Sequence, residues 1–170
     1  KNTLPAIIAK LQEDDVESAH YYVQVVNYLK ETVNALTYLS KPVYTYIDNN
    51  HKPLIEGQEK ELSQLKEDIN NFFNSTILVL KEKGFVDIEG ILVEQKALIE
   101  RLTAINKQQL KRIKNLESGT KNSTLYLNIM NETKNLLLFT VNLIKAQRDF
   151  LVFNTNQNSV PAKQEKITDE

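Results

Sequence analysis

The residues of this chain that could carry chemistry are few and scattered. The densest acidic cluster is EDDVE at residues 13–17, where Glu13 and Glu17 stand one helical turn apart and could share a cation. Carboxylates at such a place are more typical of a helix N-terminus, where they meet the positive end of the helix dipole. The two histidines, His20 and His51, are far apart, so no zinc site of the usual spacing is predicted.

One basic cluster, KQQLKRIK at residues 107–114, places Lys107, Lys111 and Lys114 on one helical face. It could bind lipid headgroups or a phosphate-bearing ligand. It could equally be a solvated helix end, where positive charges interact favourably with the C-terminal end of the helix dipole. Aromatic residues that stack on nucleic-acid bases are missing there, so no nucleic-acid partner is expected. Cysteine is absent, and no Gly-rich phosphate loop or nucleophile motif occurs. We therefore expect a protein without catalytic residues and without a cofactor.

A polar pattern occurs twice, 101 residues apart. The stretch NYLKETVNALTY at residues 27–38 is echoed by NIMNETKNLLLF at residues 128–139. On a helix the echoed polar residues form a stripe, which we treat as a candidate contact surface. Chance in an Asn-rich chain and ordinary solvation of a helix face are open alternatives to a trace of duplication. The stripe consists of Asn27, Glu31, Asn34, Tyr38, Asn128, Glu132, Asn135 and Phe139.

Hydrophobic periodicity predicts an all-α chain, because no strand alternation competes with it. The 170 residues include 4 Gly and 4 Pro, which leaves room for long helices. We predict one domain over residues 1–153: a short segment at 1–13 and helices at about 15–50, 58–83, 88–117 and 121–153. They should form an antiparallel up-and-down bundle of four long helices, followed by a disordered polar tail at 154–170.

The first and last predicted helices carry the most informative details. In the first, Pro42 should kink or split the helix, and DNNHKP should end it through an Asn in left-handed geometry. Gly119 is predicted to close the third helix, and the fourth should be the most buried. The echoed polar stripe of the first helix should lie opposite its core face, which is predicted to comprise Tyr22, Val25, Val26, Leu29, Val33, Leu36, Leu39 and Val43.

The segment HYYVQVVNYLKETVNALTYLSKPVYTYIDNNHKPL, residues 20–54, resembles the cytoplasmic C-terminal extension of PiT-family inorganic phosphate transporters of Bacteroidetes. That extension is a PhoU-like helical domain, so the resemblance implies a PhoU-like fold. PhoU-like proteins gather metal ions on a Glu/Asp-x-x-x-Asp motif in each of two repeats. Here Lys30 and Asn34, and then Asn131 and Asn135, stand at the motif's acidic positions. Because amides and a lysine are poor ligands for hard cations, we expect the metal function to be lost or weakened.

The resemblance implies a non-enzymatic regulatory domain associated with phosphate transport, at the cytoplasmic face of the inner membrane. Its partner would be the transmembrane part of the parent transporter, and a second copy in a homodimer is an open alternative. The chain opens on Lys1, from which we expect a fragment or a processed product. The alternative, from a different class, is an extracytoplasmic four-helix sensor domain of a chemoreceptor or histidine kinase.

Overall fold

The computed structural model describes residues 16–81 and 88–158. The described chain forms four helices: α1 (Val16–Asp48), α2 (Glu56–Lys81), α3 (Ile88–Lys114) and α4 (Thr120–Asn158). No strand occurs in these two ranges, so the predicted all-α helical bundle is confirmed. Within them, no helix is both long and apolar enough to cross a membrane.

Helix α4 lies in the middle of the bundle. α1 packs on it most closely, followed by α3 and then α2, and α2 packs mainly on α3. Neighbouring helices run antiparallel: Arg101 pairs with Asp68 and Arg112 with Glu61, so residue numbers rise along α3 as they fall along α2. The prediction that the fourth helix is the most buried is confirmed by its inward side chains, which include Tyr126, Met130, Leu137, Val141 and Ile144.

Two details of the helices differ from the prediction. Of the two effects predicted for Pro42, a kink or a split, the split does not occur: α1 continues through Pro42 to Asp48. The fourth helix extends to Asn158, so residues 154–158 of the predicted disordered tail are helical. The predicted N-terminal segment 1–13 and the rest of the tail, residues 159–170, lie outside the described residues.

Helices α1 and α3 end with the same hydrogen-bond pattern. At the end of α1, Asn50 has φ 52° and His51 N donates to Tyr46 O at 3.3 Å, as the DNNHKP motif predicts. At the end of α3, the left-handed position is Leu116 with φ 58°, and Glu117 N donates to Arg112 O at 2.9 Å. Both ends are Schellman motifs. The prediction that Gly119 closes the third helix is therefore wrong; α4 begins directly after it.

Replacing Leu116 with glycine is expected to stabilise the protein. A left-handed conformation is about 1 kcal/mol less favourable for an L-residue than for glycine. The Leu116 side chain is 91% exposed, so its removal loses little packing. We expect the free energy of unfolding in urea to rise by about 1 kcal/mol. Leu110→Gly, at an exposed position inside α3, is the control and should lower that free energy. Destabilisation by Leu116→Gly would contradict the assigned cap.

Candidate functional site

The two echoed stretches lie beside each other in the antiparallel α1–α4 pair. Asn128 Nδ2 donates to Tyr38 O at 3.2 Å, and farther along the pair the rings of Tyr21 and Phe153 are 5.3 Å apart. Both helices rise by about 1.5 Å per residue, so positions between these contacts face each other in reverse order. Residues 34 and 135 therefore lie near the same level of the bundle.

Each copy of the echo forms the same hydrogen bond within its own helix. Asn34 Nδ2 donates to the Glu31 carboxylate at 3.5 Å, and Asn135 Nδ2 donates to the Glu132 carboxylate at 3.2 Å. Asn131 Nδ2 also donates to Glu132, at 3.1 Å. Asn34, Asn131 and Asn135 thus bind the neighbouring carboxylates of this chain.

The stripe is less exposed than its predicted position opposite the core. Asn27 and Tyr38 are exposed, as are the motif positions Lys30 and Asn131. The remaining stripe residues are half-buried beside the α1–α4 contact: Glu31, Asn34, Asn128, Glu132, Asn135 and Phe139. In residues 16–81 and 88–158, no group of three or more His, Asp or Glu side chains is placed to hold a metal ion.

The predicted core face of α1 is wrong for its central residues. Leu29, Val33 and Leu36 are 52%, 55% and 49% exposed, whereas Ala35 is only 2% exposed. The reason is that the backbone of α1 comes close to that of α4 and of no other described helix, so the middle of α1 packs on α4 with small Ala35 on its buried side. An apolar helix face predicts that this face is buried, but it does not show whether the covering partner is another helix of the same chain or another molecule. We define the outer face of α1 as the exposed apolar residues Leu29, Val33, Leu36, Tyr44 and Ile47.

Asn128 replaces a hydrogen bond that Pro42 removes. A proline has no N–H to donate to the carbonyl four residues earlier, which here is the carbonyl of Tyr38. Asn128 Nδ2 of α4 donates to that carbonyl at 3.2 Å. This contact explains how α1 continues through Pro42, and it gives the second-copy Asn a structural role.

The coupling between these two residues is testable by a double-mutant cycle. Asn128→Ala is expected to lower the free energy of unfolding by about 1 kcal/mol, because the Tyr38 carbonyl loses its donor. In a Pro42→Ala background the new N–H supplies the donor, and the same change should cost only a few tenths of a kcal/mol. Equal costs in both backgrounds, measured by urea unfolding, would show that the Asn128 hydrogen bond does not substitute for the missing N–H.

A buried polar network joins the start of α2 to the end of α3 and the start of α4. Gln58 and Gln109 are both 0% exposed, and Gln58 Nε2 donates to Gln109 Oε1 at 2.9 Å. Gln58 Oε1 accepts from Ile55 N at 3.1 Å, and Gln109 Nε2 donates to Ser123 Oγ at 3.1 Å. Buried amides with their donors and acceptors paired specify one helix register. The partners in this network were not predicted from the sequence.

An ion pair lies next to the two glutamines. Arg112 donates to both carboxylate oxygens of Glu61, at 2.8 Å each, and its side chain is 8% exposed. The Tyr126 hydroxyl also donates to Glu61. Gly57 leaves room for the guanidinium, because a Cβ there would lie 3.0 Å from Arg112 Nη2. The Arg112–Glu61 ion pair and the Tyr126 hydroxyl together connect α2, α3 and α4.

Burial and charge in this cluster shift the pKa values of Glu61, Arg112 and Tyr126. Burial raises the pKa of Glu61, but hydrogen bonds from Arg112 and Tyr126 and the guanidinium charge outweigh it, so the pKa lies below 4.5. The hydrogen bond to Glu61 raises the pKa of Arg112 in spite of burial. Burial, followed by the hydrogen bond to Glu61 and its charge, raises the pKa of Tyr126 well above 10.0. Each group is thus held in its ordinary protonation state near neutral pH, which suits a structural role better than proton transfer.

The other residues singled out in the sequence are not brought together. His20 pairs with Gln24 of its own helix at 3.0 Å, and the His51 ring contacts the Tyr46 ring at 4.9 Å between centroids. Lys107, Lys111 and Lys114 are exposed, whereas Arg112 of the same basic cluster is turned inward. Glu13 lies outside the described residues, and the side chain of Glu17 is not described.

Comparisons with protein-family models, with curated proteins and with solved structures found no match to this chain. Its function must therefore be inferred from its own residues and their arrangement.

Proposed function

We propose that this chain is a non-enzymatic regulatory domain of an inorganic phosphate transporter, PhoU-like in origin, that docks through the outer face of α1. The observation that carries the proposal is the exposure of that face. Leu29, Val33 and Ile47 are 52%, 55% and 68% exposed along one side of a helix that packs mainly on α4. A group of exposed apolar residues on one helix face is typical of a surface that binds another macromolecule.

Two further features support a PhoU-like origin. The same Glu–Asn hydrogen bond occurs in α1 and α4, as expected if both helices descend from one ancestral unit. The segment that resembles the transporter extension, residues 20–54, contains the whole outer face of α1. The proposed partner is therefore the transmembrane part of the parent transporter.

Docking of this kind regulates transport when the contact differs between transporter states. A domain that binds one state more tightly shifts the population toward that state by its difference in affinity. Covalent linkage gives a high effective concentration, so a single helix face is enough to maintain the contact. Regulation by this route needs neither a metal nor a catalytic residue.

Site-specific photo-crosslinking in the cells that produce the protein tests the partner. A photoreactive residue at Val33, on the outer face of α1, is expected to crosslink to the transmembrane part of a phosphate transporter, identified by mass spectrometry. The same probe at exposed Glu67 on α2 is the control and should give no such product. Crosslinks from position 33 to a second copy alone, or to a single-span receptor, would contradict the proposal.

Uptake of radiolabelled inorganic phosphate tests the regulation. Val33→Asp should change the uptake rate several-fold, because a charge on the outer face of α1 prevents apolar docking. Val93→Asp introduces the same charge at a residue that is 70% exposed on α3, and it should leave uptake unchanged. Equal uptake by the two variants, with both folded, would overturn the assignment of this face.

A further inference from the structure

A groove opens between the last turns of α1 and the first turns of α4, away from the outer face of α1. Its volume is about 670 Å³, within the range of small-molecule sites. Pro42 and Tyr46 of α1 and Leu125 of α4 supply its apolar lining. A groove of this size is large enough for one aromatic ring or a short alkyl chain with a polar head.

The aromatic wall of the groove is held in place by its own contacts. The Tyr46 hydroxyl donates to the carbonyl of Lys52 at 2.6 Å, and the Tyr46 ring contacts the His51 ring at 4.9 Å between centroids. The left-handed Asn50 turns the chain so that His51 comes back to Tyr46. The ring that a ligand would contact is therefore oriented before binding, which lowers the entropy lost on association.

The groove is lined by positively charged residues and by no negatively charged ones. Lys41 and Lys121 line it, and none of its lining residues is Asp or Glu. In the part of the chain that the structure describes, neither lysine forms an ion pair. An adjoining recess of about 450 Å³ adds Lys52 and one carboxylate, Glu117, which accepts a hydrogen bond from Asn115 Nδ2 at 2.9 Å. Cations beside an apolar floor attract an anion that also has an apolar part.

We propose that this groove binds a small organic anion, a carboxylate or phosphate monoester with an aromatic or aliphatic body. The body lies on Pro42, Tyr46 and Leu125, and Lys41 and Lys121 bind the anionic group. The two lysines select against neutral analogues, and the apolar floor selects against simple inorganic anions. Ligand binding in this groove is independent of the partner that docks on the outer face of α1.

Phenyl phosphate is a suitable probe, followed by two-dimensional ¹H–¹⁵N NMR of the whole chain. We expect saturable shifts of amides in residues 41–46 and 120–128. Phenol, which lacks the charge, and inorganic phosphate, which lacks the ring, should each bind about tenfold more weakly, as loss of one good contact predicts. Inorganic phosphate that binds as tightly as phenyl phosphate would overturn the amphipathic ligand class, and phenol that does so would overturn the role of the lysines.

Lysine variants test the charge directly. Lys41→Gln and Lys121→Gln should each weaken phenyl phosphate about tenfold, and Lys107→Gln, at an exposed lysine of α3, should leave it unchanged. All three positions are exposed, so the melting temperatures should agree and exclude misfolding as the cause. Saturable binding that is equal in all three variants, or shifts spread over the surface without saturation, would overturn the site.

Discussion

Replacing Glu61 with alanine is expected to lower the free energy of unfolding by about 3 kcal/mol. The change removes the partner of Arg112, whose side chain is 8% exposed. It also removes the acceptor of the Tyr126 hydroxyl, a residue that is 0% exposed. A buried charge and a buried donor are left without partners, and that desolvation cost exceeds the loss of the contacts themselves. Urea unfolding followed by circular dichroism measures the effect.

Asp68→Ala is the matched control, because it breaks the other ion pair between α2 and α3. Its partner Arg101 is 38% exposed and can be hydrated when the carboxylate is gone. We expect a cost of about 0.5 kcal/mol, as for partly exposed pairs. Equal costs for Glu61→Ala and Asp68→Ala would show that burial of Arg112 does not determine the strength of its pair.

The contribution of Glu61 to stability should depend on pH with a definite sign. Because its pKa in the folded protein lies below the ordinary value of 4.5, its contribution is present above that pH and is lost as the pH falls through the folded pKa. The raised pKa of Tyr126 acts at the other end: its contribution is present below pH 10.0 and is lost at higher pH. The difference in unfolding free energy between wild type and Glu61→Ala should therefore be constant near neutral pH and shrink in acid. A difference that stays constant down to pH 3 would contradict the assigned coupling.

The helices were predictable because their apolar residues recur with a helical period over long stretches with few breakers. Asn50 was predictable as a left-handed terminator for a similar local reason, since its side chain tolerates that geometry. Leu116 was not predictable: its left-handed φ contradicts its local preference and persists because the Schellman hydrogen bonds and the following turn require it.

The buried network was partly visible in the sequence. Leu102, Ile105, Gln109 and Arg112 follow one another at helical core spacing, so the polar pair at the end continues the buried face. The apolar neighbour Ile113 does not belong to this face, because it is 36% exposed while Arg112 is 7% exposed. The sequence alone does not reveal the partners Gln58 and Glu61, since they come from another helix and depend on the helix register.

The packing side of α1 could not be predicted, since apolar residues lie on its outer face and a small residue faces α4. That arrangement leads to the second large expected effect. Ala35→Leu inserts three carbon atoms into a contact where Ala35 is 2% exposed, and it should cost about 2 kcal/mol. Because α1 packs mainly on α4, amide exchange should accelerate in α1 and much less in α2 and α3.

Ala97→Leu is the control that separates packing from helix propensity. Ala97 is exposed on α3, so this substitution should change the free energy of unfolding by less than about 0.5 kcal/mol. Hydrogen exchange measured by mass spectrometry distinguishes local release of α1 from global loss of stability. In Ala35→Leu, α1 alone is expected to open, while the amides around the Glu61 network stay protected from exchange. That result would show that α2, α3 and α4 unfold as one cooperative unit and that α1 unfolds separately. Such a helix could change its contacts with a partner without unfolding the rest of the domain. Uniform acceleration over all four helices would instead show that α1 is an inseparable part of the core.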